Sequence, residues 1–254
     1  MSRLVINKYD LDHASAKNDQ ICIITPIWKD ELNSNELQNI LYSLNLNLEY
    51  DHYFICPTKL DLTFYKNIFI KSNFISFDEK FFENIRGYNI LMQSSFFYEK
   101  FKNYDQMLIL QTDAFLVKNI APITKTNFDY IGSPWVKGLI LPNYIFKNKI
   151  ITMVLKKLGF TRKCHVGNGG LSLRKVTTFI KVCKEYPIID WLNEDMKFAL
   201  LGEKGSLIIG DFDYCNECFF ENKDSKTETL PDVFGFHALE KYHPNLYFNF
   251  FSNN

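Results

Sequence analysis

Apolar runs alternate with segments of helical periodicity along the first half of the chain. Four runs predict strands, at 21–28, 52–57, 67–77 and 106–117. Apolar residues recur at helical spacing between the runs, which predicts helices at 35–48 and 87–104. The first run, ICIITPIW, is apolar throughout, as in a strand that is covered on both faces. The order of these elements predicts an α/β fold with a mostly parallel sheet flanked by helices.

The second half of the chain has a less regular pattern. A short strand is predicted at 129–135, an amphipathic helix with basic residues at 148–160, and a further helical segment at 191–202. The segment 165–186 opens with a glycine-rich turn, and we expect it to become helical after Ser172. No internal repeat or low-complexity linker divides the chain, so the pattern predicts a single domain.

Charge is balanced overall but unevenly distributed. Lys and Arg together number 29, as do Asp and Glu, so the net charge of the 254 residues is zero. This excludes a general polyanion binder, and we expect no nucleic-acid partner. The span 130–184 contains no Asp or Glu. Its basic segment 147–163 has two interpretations: a solvated face, or a peripheral contact with an anionic membrane surface.

The cysteines and the chain ends indicate the compartment. The N-terminal segment lacks the apolar core of a signal peptide, and no apolar window is long enough to span a bilayer. The six Cys are scattered, which favours reduced thiols in a cytoplasmic protein, with the inner face of a membrane as an alternative location. Cys215 and Cys218 form a CxxC pair without a second pair, so we expect neither a zinc site nor a redox site there.

One acidic residue interrupts an apolar run. In LILQTDAFLV, Asp113 follows Gln111 and Thr112 within residues that otherwise favour a buried strand. A carboxylate in such a strand costs several kcal/mol unless its charge is offset. Thr25 and Pro26 lie toward the end of another apolar run, and ligands of parallel sheets bind beyond the carboxyl ends of strands. We therefore expect these two segments to meet at one crevice.

Four segments have the residue types that a sugar-nucleotide transferase needs: QTD, NGG, NED and GFH. Its leaving group is a nucleoside diphosphate, whose charge a divalent cation held by carboxylate and imidazole can neutralise. Glycine allows the backbone to approach the donor sugar closely. The acceptor hydroxyl needs a carboxylate to take its proton.

The segments LILQTDAFL, IGSPW, VGNGGLSLR, NEDMKF and GFH together resemble GT-A-type glycosyltransferases, and are especially similar to a microbial and viral family with these motifs in this order. The resemblance covers about 21–237 and implies a Rossmann-like sheet. It divides the single domain 1–254 into an N-terminal extension 1–20, a nucleotide-binding half 21–120 and an acceptor and catalytic half 121–254.

The resemblance also implies roles for individual residues. The donor-binding set is Thr25, Pro26, Gln111, Thr112, Asp113, Asn168, Gly169 and Gly170. Asp113 and His237 are the implied ligands of Mn²⁺ or Mg²⁺. Gln111 stands where the DxD motif has its first Asp, and its neutral oxygen weakens the metal site. Glu194 and Asp195 match the acidic pair of inverting relatives, with Asp195 favoured as the general base. Arg86, before the helix that precedes QTD, is a further candidate for the diphosphate.

The implied reaction is transfer of a hexose from a nucleotide sugar, favouring a uridine diphosphate sugar, to a hydroxyl of a glycan or lipid-linked glycan, with inversion. Each residue also has a purely structural interpretation: Asp113 as a turn cap, Asn168 to Gly170 as a simple turn, His237 as a hydrogen-bonded core histidine, and Glu194 with Asp195 as a solvated helix face. Alternative functions are a nucleotidyltransferase, a glycosidase with paired carboxylates, and a carbohydrate-binding relative that has lost catalysis.

Overall fold

The computed structural model describes residues 21–221 and 227–253. The predicted N-terminal extension lies outside the described residues. The described strands are β1 (Ile21–Pro26), β2 (Asp51–Pro57), β3 (Asn73–Phe77), β4 (Gln106–Leu110), β5 (Ala114–Leu116), β6 (Tyr130–Gly132), β7 (Pro134–Pro142), β8 (Thr161–Val166), β9 (Leu171–Lys175), β10 (Phe219–Phe220) and β11 (Gly235–His237).

Helices connect and cover these strands. They are α1 (Ser34–Asn45), α2 (Thr63–Ile68), α3 (Ile85–Met92), α4 (Ser95–Glu99), α5 (Ala121–Thr124), α6 (Lys149–Lys157), α7 (Val176–Glu185), α8 (Glu194–Glu203), α9 (Phe212–Cys218), α10 (Leu239–Tyr242) and α11 (Pro244–Asn253), with one 3₁₀ turn at Glu79–Phe81.

The central sheet has six strands in the order β3-β2-β1-β4-β9-β6. The first four are parallel, whereas β9 runs antiparallel to both β4 and β6. Every residue of β1 and β4 is buried, as the uninterrupted apolar runs predict for strands covered on both faces. The predicted α/β fold with a mostly parallel sheet is confirmed.

The run predicted as one strand at 106–117 is two strands in two sheets. β4 belongs to the central sheet, and β5 pairs antiparallel with β11 in a three-stranded sheet. A tight turn joins them, because the Ala114 amide donates to the Gln111 carbonyl at 2.9 Å. Asp113 therefore lies on a turn rather than within an apolar strand, and 54% of its side chain is exposed. This partial exposure makes the desolvation cost of the carboxylate smaller than the sequence suggested.

Other element boundaries also differ from the prediction. The run at 67–77 begins with the end of α2, and only β3 is strand. The helix predicted at 87–104 is broken between α3 and α4. There the buried Gln93 side chain bonds the backbone of Ile189 and Leu192, which fixes the break to the segment before α8.

The segment after Ser172 is strand, not helix. Leu171–Lys175 forms β9, and the helix begins only at Val176. The prediction was wrong because β9 is paired on both sides, by β4 and β6. Long-range pairing overrides a local pattern that favours helix.

β7 and β8 form an antiparallel hairpin outside the central sheet. α6 lies within the connection between these strands, at 143–160. One side of the hairpin packs on α8 through a small apolar cluster: Leu141, Cys164, Ala199 and Leu200, with Trp135, Leu139, Ile145 and Met196 around it.

All six cysteines are buried free thiols. Burial raises the pKa of Cys215 to about 12 and that of Cys218 to about 11, which disfavours the thiolate that a metal or redox site requires. In the described part of the chain, no helix combines the length and apolar character needed to cross a bilayer.

Candidate active site

A cleft of about 750 Å³ lies at the carboxyl ends of β1 and β4. Pro26 ends β1, Gln111 follows β4, and both line the cleft. The Asn168–Gly170 segment before β9 lines it as well. The two segments expected to share a crevice therefore do so, in the position where parallel sheets bind ligands.

Three polar side chains converge above Gly170. A Cβ placed on Gly170 would lie 2.2 Å from His237 Nε2 and 2.7 Å from Gln111 Oε1. Asp113 Oδ1 lies 3.3 Å from the same His237 nitrogen. Only glycine leaves room for these groups, so the NGG segment shapes this part of the cleft. The His237 ring is brought here by β11, whose pairing with β5 sets His237 opposite Ala114.

Glu221 orients the His237 ring from the other side. Its carboxylate lies 2.9 Å from His237 Nδ1, and both side chains are largely buried. Burial alone would lower the pKa of His237, but its contacts with Asp113 and Glu221 raise the pKa to about 10. The same contact lowers the pKa of Asp113 despite an opposing effect of burial. The two carboxylates therefore favour a cation at His237 Nε2, for which a proton and a metal ion would compete.

The donor types above Gly170, an imidazole, a carboxylate and an amide oxygen, are among those that bind divalent cations. His237 Nε2 is buried without a hydrogen-bond partner, and the Asp113 carboxylate and the Gln111 amide oxygen lie beside it. Metal-binding histidines commonly donate their other ring nitrogen to a carboxylate, as Nδ1 is placed to do with Glu221. Across 21–221 and 227–253, no cluster of three or more His, Cys, Asp or Glu is arranged to hold a metal ion. Any cation here would therefore rest on few charged ligands and on the neutral Gln111.

Glu194 lines the cleft but is anchored in the core. Its Oε1 atom lies 3.0 Å from the fully buried guanidinium of Arg174 and packs against Gly169. Arg174 also donates to the hydroxyls of Tyr98 and Ser172. The second oxygen, Oε2, is buried without a hydrogen-bond partner. Glu194 thus fixes the glycine segment against α8.

Asp195 presents a different carboxylate to the cleft. Neighbouring helical residues point about 100° apart, so Glu194 faces Arg174 while Asp195 lines the cavity. Burial raises the pKa of Asp195 to about 7, and the charge of Glu194 adds to the effect. Its Oδ1 atom accepts a hydrogen bond from the Met196 amide at 2.7 Å. A carboxylate with this pKa can take a proton near neutral pH.

Four candidates from the sequence do not line the cleft. One of them, Asp113, lies beside it in contact with His237, which lines it. Thr25 is fully buried, and its hydroxyl lies 2.9 Å from His52 Nε2. The Thr112 hydroxyl donates to Glu36 on α1. Arg86 pairs with Asp190 at the surface, beside a separate depression. These last three side chains support the surrounding structure, and their contact with a donor stays a prediction.

Several cleft residues were not identified from the sequence. Trp28 lines the entrance near Pro26, with 53% of the residue exposed. Tyr88 contributes a buried hydroxyl, and burial raises its pKa to about 12. Trp135 and Glu221 line the cleft too. Trp28 ends the apolar run ICIITPIW, and Trp135 ends the IGSPW motif, so the sequence offered a signal for both. Glu221 has no local signal, because only folding brings it beside His237.

The fold and the site define an α/β protein with a cleft of about 750 Å³ at the switch between parallel and antiparallel strands. The chain belongs to the family described as "Protein of unknown function (DUF5672)", which it matches over residues 71–246. No curated protein sequence matches it.

Solved structures of transferases are similar at low identity. Mouse xyloside xylosyltransferase 1, in its apo form, is 12% identical, with a TM-score of 0.42 over 75% of this chain and 84% of that one. The galactosyltransferase LgtC, in complex with donor and acceptor sugar analogues, is 12% identical, with a TM-score of 0.47 over 85% of this chain and 86% of that one.

Proposed function

We propose that this protein is a glycosyltransferase that moves a hexose from a nucleoside diphosphate sugar, with a uridine diphosphate sugar as the favoured donor, to a hydroxyl of a glycan or lipid-linked glycan. The observation that carries the proposal is that one cleft contains both side chains that could hold a cation and a carboxyl group with a near-neutral pKa. Gln111, Gly170 and His237 line it together with Asp195. An inverting sugar-nucleotide transferase uses both in one reaction: the cation stabilises the leaving diphosphate, and the carboxylate takes the proton of the acceptor hydroxyl.

The donor has a defined position in this proposal. Its nucleoside lies near Pro26, with the base against the exposed Trp28 ring, since indole faces stack on bases of any kind. The diphosphate lies toward Gln111 and His237. The sugar lies over the Asn168–Gly170 backbone, where the absence of side chains at Gly169 and Gly170 allows close approach.

Asp113 and His237 would hold the divalent cation, Mn²⁺ or Mg²⁺, with the Gln111 amide oxygen as a third donor. Such a cation, when bound, supplies Lewis-acid stabilisation of the negative charge on the leaving diphosphate. Glu221 holds the His237 ring in place through Nδ1, so that Nε2 is directed to the site.

Asp195 acts as the general base. It takes the proton of the acceptor hydroxyl as that oxygen forms a bond to the anomeric carbon. The bond between the anomeric carbon and the diphosphate oxygen breaks, and the electron pair leaves with the nucleoside diphosphate. Attack opposite the leaving group inverts the configuration. Glu194 is a positioning residue, because its carboxylate is committed to Arg174.

The same commitment disfavours the glycosidase alternative. A glycosidase needs two carboxylates that both face the sugar. Here one oxygen of Glu194 is held by a buried arginine, and its partner oxygen is withdrawn from solvent. Asp195 lines the same cleft with a carboxyl group whose pKa burial raises to about 7.

The test is donor binding followed by turnover. Calorimetric titration of uridine and guanosine diphosphate, each with and without Mn²⁺, measures recognition of the leaving group. Release of nucleoside diphosphate from UDP-glucose, UDP-galactose and GDP-mannose measures bond cleavage. We expect one nucleotide to bind with Mn²⁺ and its sugar to be cleaved. If none of these nucleotides binds, the proposal is wrong.

Two variants separate binding from chemistry. Asp195→Asn keeps the shape of the cleft, so it should bind the nucleotide normally while releasing no product. Asp113→Asn should weaken nucleotide binding chiefly when Mn²⁺ is present. If the nucleotide binds but neither the wild type nor any variant cleaves a sugar donor, the carbohydrate-binding alternative without catalysis is supported instead.

A further inference from the structure

The insertion between β7 and β8 has an unusual helix, because its apolar side faces outward. Of the nine residues of α6, only Thr152 is buried. Six apolar residues of the helix, or just beyond its end, are exposed: Ile150, Ile151, Met153, Val154, Leu158 and Phe160. We call this set the outer apolar face. A solvent-exposed helix normally directs such residues to the core.

Thr152 explains why the helix is turned this way. Its hydroxyl accepts a hydrogen bond from the Phe146 amide at 2.9 Å. The carbonyls of Phe146 and Lys147 in turn accept from the Trp191 indole at 3.2 and 3.1 Å. These polar contacts fix the inner side of the insertion to the segment before α8. The outer apolar face is therefore a built feature of the fold, since hydrogen bonds hold the opposite side.

The insertion itself carries charges of one sign. Its charged residues are Lys147, Lys149, Lys156 and Lys157, and the sequence from 130 to 184 has no acidic residue. Acids on the packed segments are paired with arginines: Glu203 on α8 with Arg162, and Asp190, which lines a depression together with Lys149, with Arg86. An exposed apolar face with lysines beside it matches the interface of an anionic bilayer, where the apolar side enters the acyl boundary and the lysines meet headgroup phosphates.

We propose that the outer apolar face and its lysines dock this protein on an anionic lipid surface. A membrane fits better than a protein partner, because all charged residues of the insertion are lysines, which match the phosphate headgroups of an anionic bilayer. The docking is independent of the transferase function. The docking bears on catalysis only if the proposed transferase function holds.

The insertion and the cleft share a wall. Trp135, Leu139 and Met196 line the cleft and pack in the same small cluster as Ile145 from the insertion. A bilayer under α6 would therefore lie next to the side of the cleft that contains Asp195. If the proposed function holds, this placement favours an acceptor hydroxyl carried on a lipid-linked glycan over a freely diffusing sugar.

Vesicle co-sedimentation tests the docking. We expect the wild-type chain to sediment with mixed phosphatidylcholine and phosphatidylglycerol vesicles, and much less with phosphatidylcholine alone. Replacing Lys149, Lys156 and Lys157 by Gln should lower the partition coefficient for the mixed vesicles by roughly a hundredfold. Ile150→Ser with Val154→Ser should lower it by at least about tenfold, because less apolar surface enters the membrane.

A matched control is available on another surface. Ile70 is 83% exposed, against 74% for Ile150, and Lys71 beside it is exposed as well. Ile70→Ser with Lys71→Gln changes the same residue types and should leave vesicle binding unchanged. Thermal unfolding and circular dichroism verify that each variant is folded, which is expected since every replaced residue is exposed except the half-buried Lys156.

Three outcomes would overturn the proposal. The wild type does not sediment with either vesicle; or the α6 variants bind the mixed vesicles as well as the control does; or sedimentation velocity without lipid shows a dimer that Ile150→Ser with Val154→Ser dissociates, so that a second copy covers the face. Each readout is free of sugar donors, so it is unaffected if the transferase function fails. Loss of transfer with intact vesicle binding would contradict only the proposed function.

Discussion

Arg174 and Glu194 form an ion pair in the interior, with 3.0 Å between Nη2 and Oε1 and almost no exposure of either side chain. Removing one partner leaves the other charge buried and uncompensated, which costs about 3–5 kcal/mol. We expect Glu194→Ala to lower the free energy of unfolding by that amount in urea denaturation. The exposed Lys59–Glu79 pair is the control. There, Glu79→Ala should cost about 1 kcal/mol or less.

Asp195 should reduce stability at alkaline pH. Burial raises its folded-state pKa to about 7 from 3.8, so the folded state binds the proton more tightly than the unfolded chain does. The favourable contribution is complete below the unfolded pKa and is lost as pH rises through about 7. At pH 8 the free energy of unfolding of Asp195→Asn should therefore exceed that of the wild type by on the order of 1–2 kcal/mol, so the variant should melt at a higher temperature. The two should converge near pH 4, and equal melting temperatures at pH 8 would contradict this account.

The pH dependence of turnover reports the same carboxyl group. A general base must be ionised, so kcat/KM for sugar transfer should rise with pH through about 7 and then level off. The Glu194 charge contributes to the raised pKa, so Glu194→Gln should move the acid limb to lower pH in any molecules that fold. An acid limb that stays in place in this variant would indicate that Asp195 is not the titrating group.

Gly170→Ala should disturb the proposed cation site at Gln111, Asp113 and His237. Its Cβ would meet His237 Nε2 and Gln111 Oε1, so both groups must move apart. We expect the Mn²⁺-dependent gain in nucleotide affinity to fall at least about tenfold, since convergence of the donors is lost. The control is Gly159→Ala, where φ is +86° and nothing lies within 4 Å. That change should lower stability through the backbone without altering the Mn²⁺ effect.

Trp28→Ala tests the position of the nucleoside. Base–aromatic stacking contributes about 1–3 kcal/mol, so the Kd for the bound nucleoside diphosphate should rise roughly tenfold to a hundredfold. Half of Trp28 is exposed, so the melting temperature should change little. Arg86→Ala, outside the cleft, should leave the Kd unchanged. Loss of affinity in the arginine variant alone would place the diphosphate elsewhere.

The sequence by itself determined the α/β class and the segments that form the cleft. Uninterrupted apolar runs indicate strands that are buried on both faces, and this pattern can be read from neighbouring residues in the sequence. QTD, NGG, NED and GFH are all found at or beside the cleft for the same reason: short polar or glycine segments that interrupt apolar runs tend to occur at strand ends. The residue types also indicated which chemistry to look for.

Only the tertiary structure decided how those segments divide their roles. The pairing of β5 with β11 moved Asp113 from an expected strand to a turn beside His237. Glu221 joined the site through a contact with His237 that no sequence pattern marks. Glu194 pairs with Arg174, because a buried guanidinium needs a partner of opposite charge. Asp195 follows Glu194 on the same helix and points in another direction, so its carboxylate remains available in the cleft. Such choices depend on long-range packing, which local periodicity does not encode.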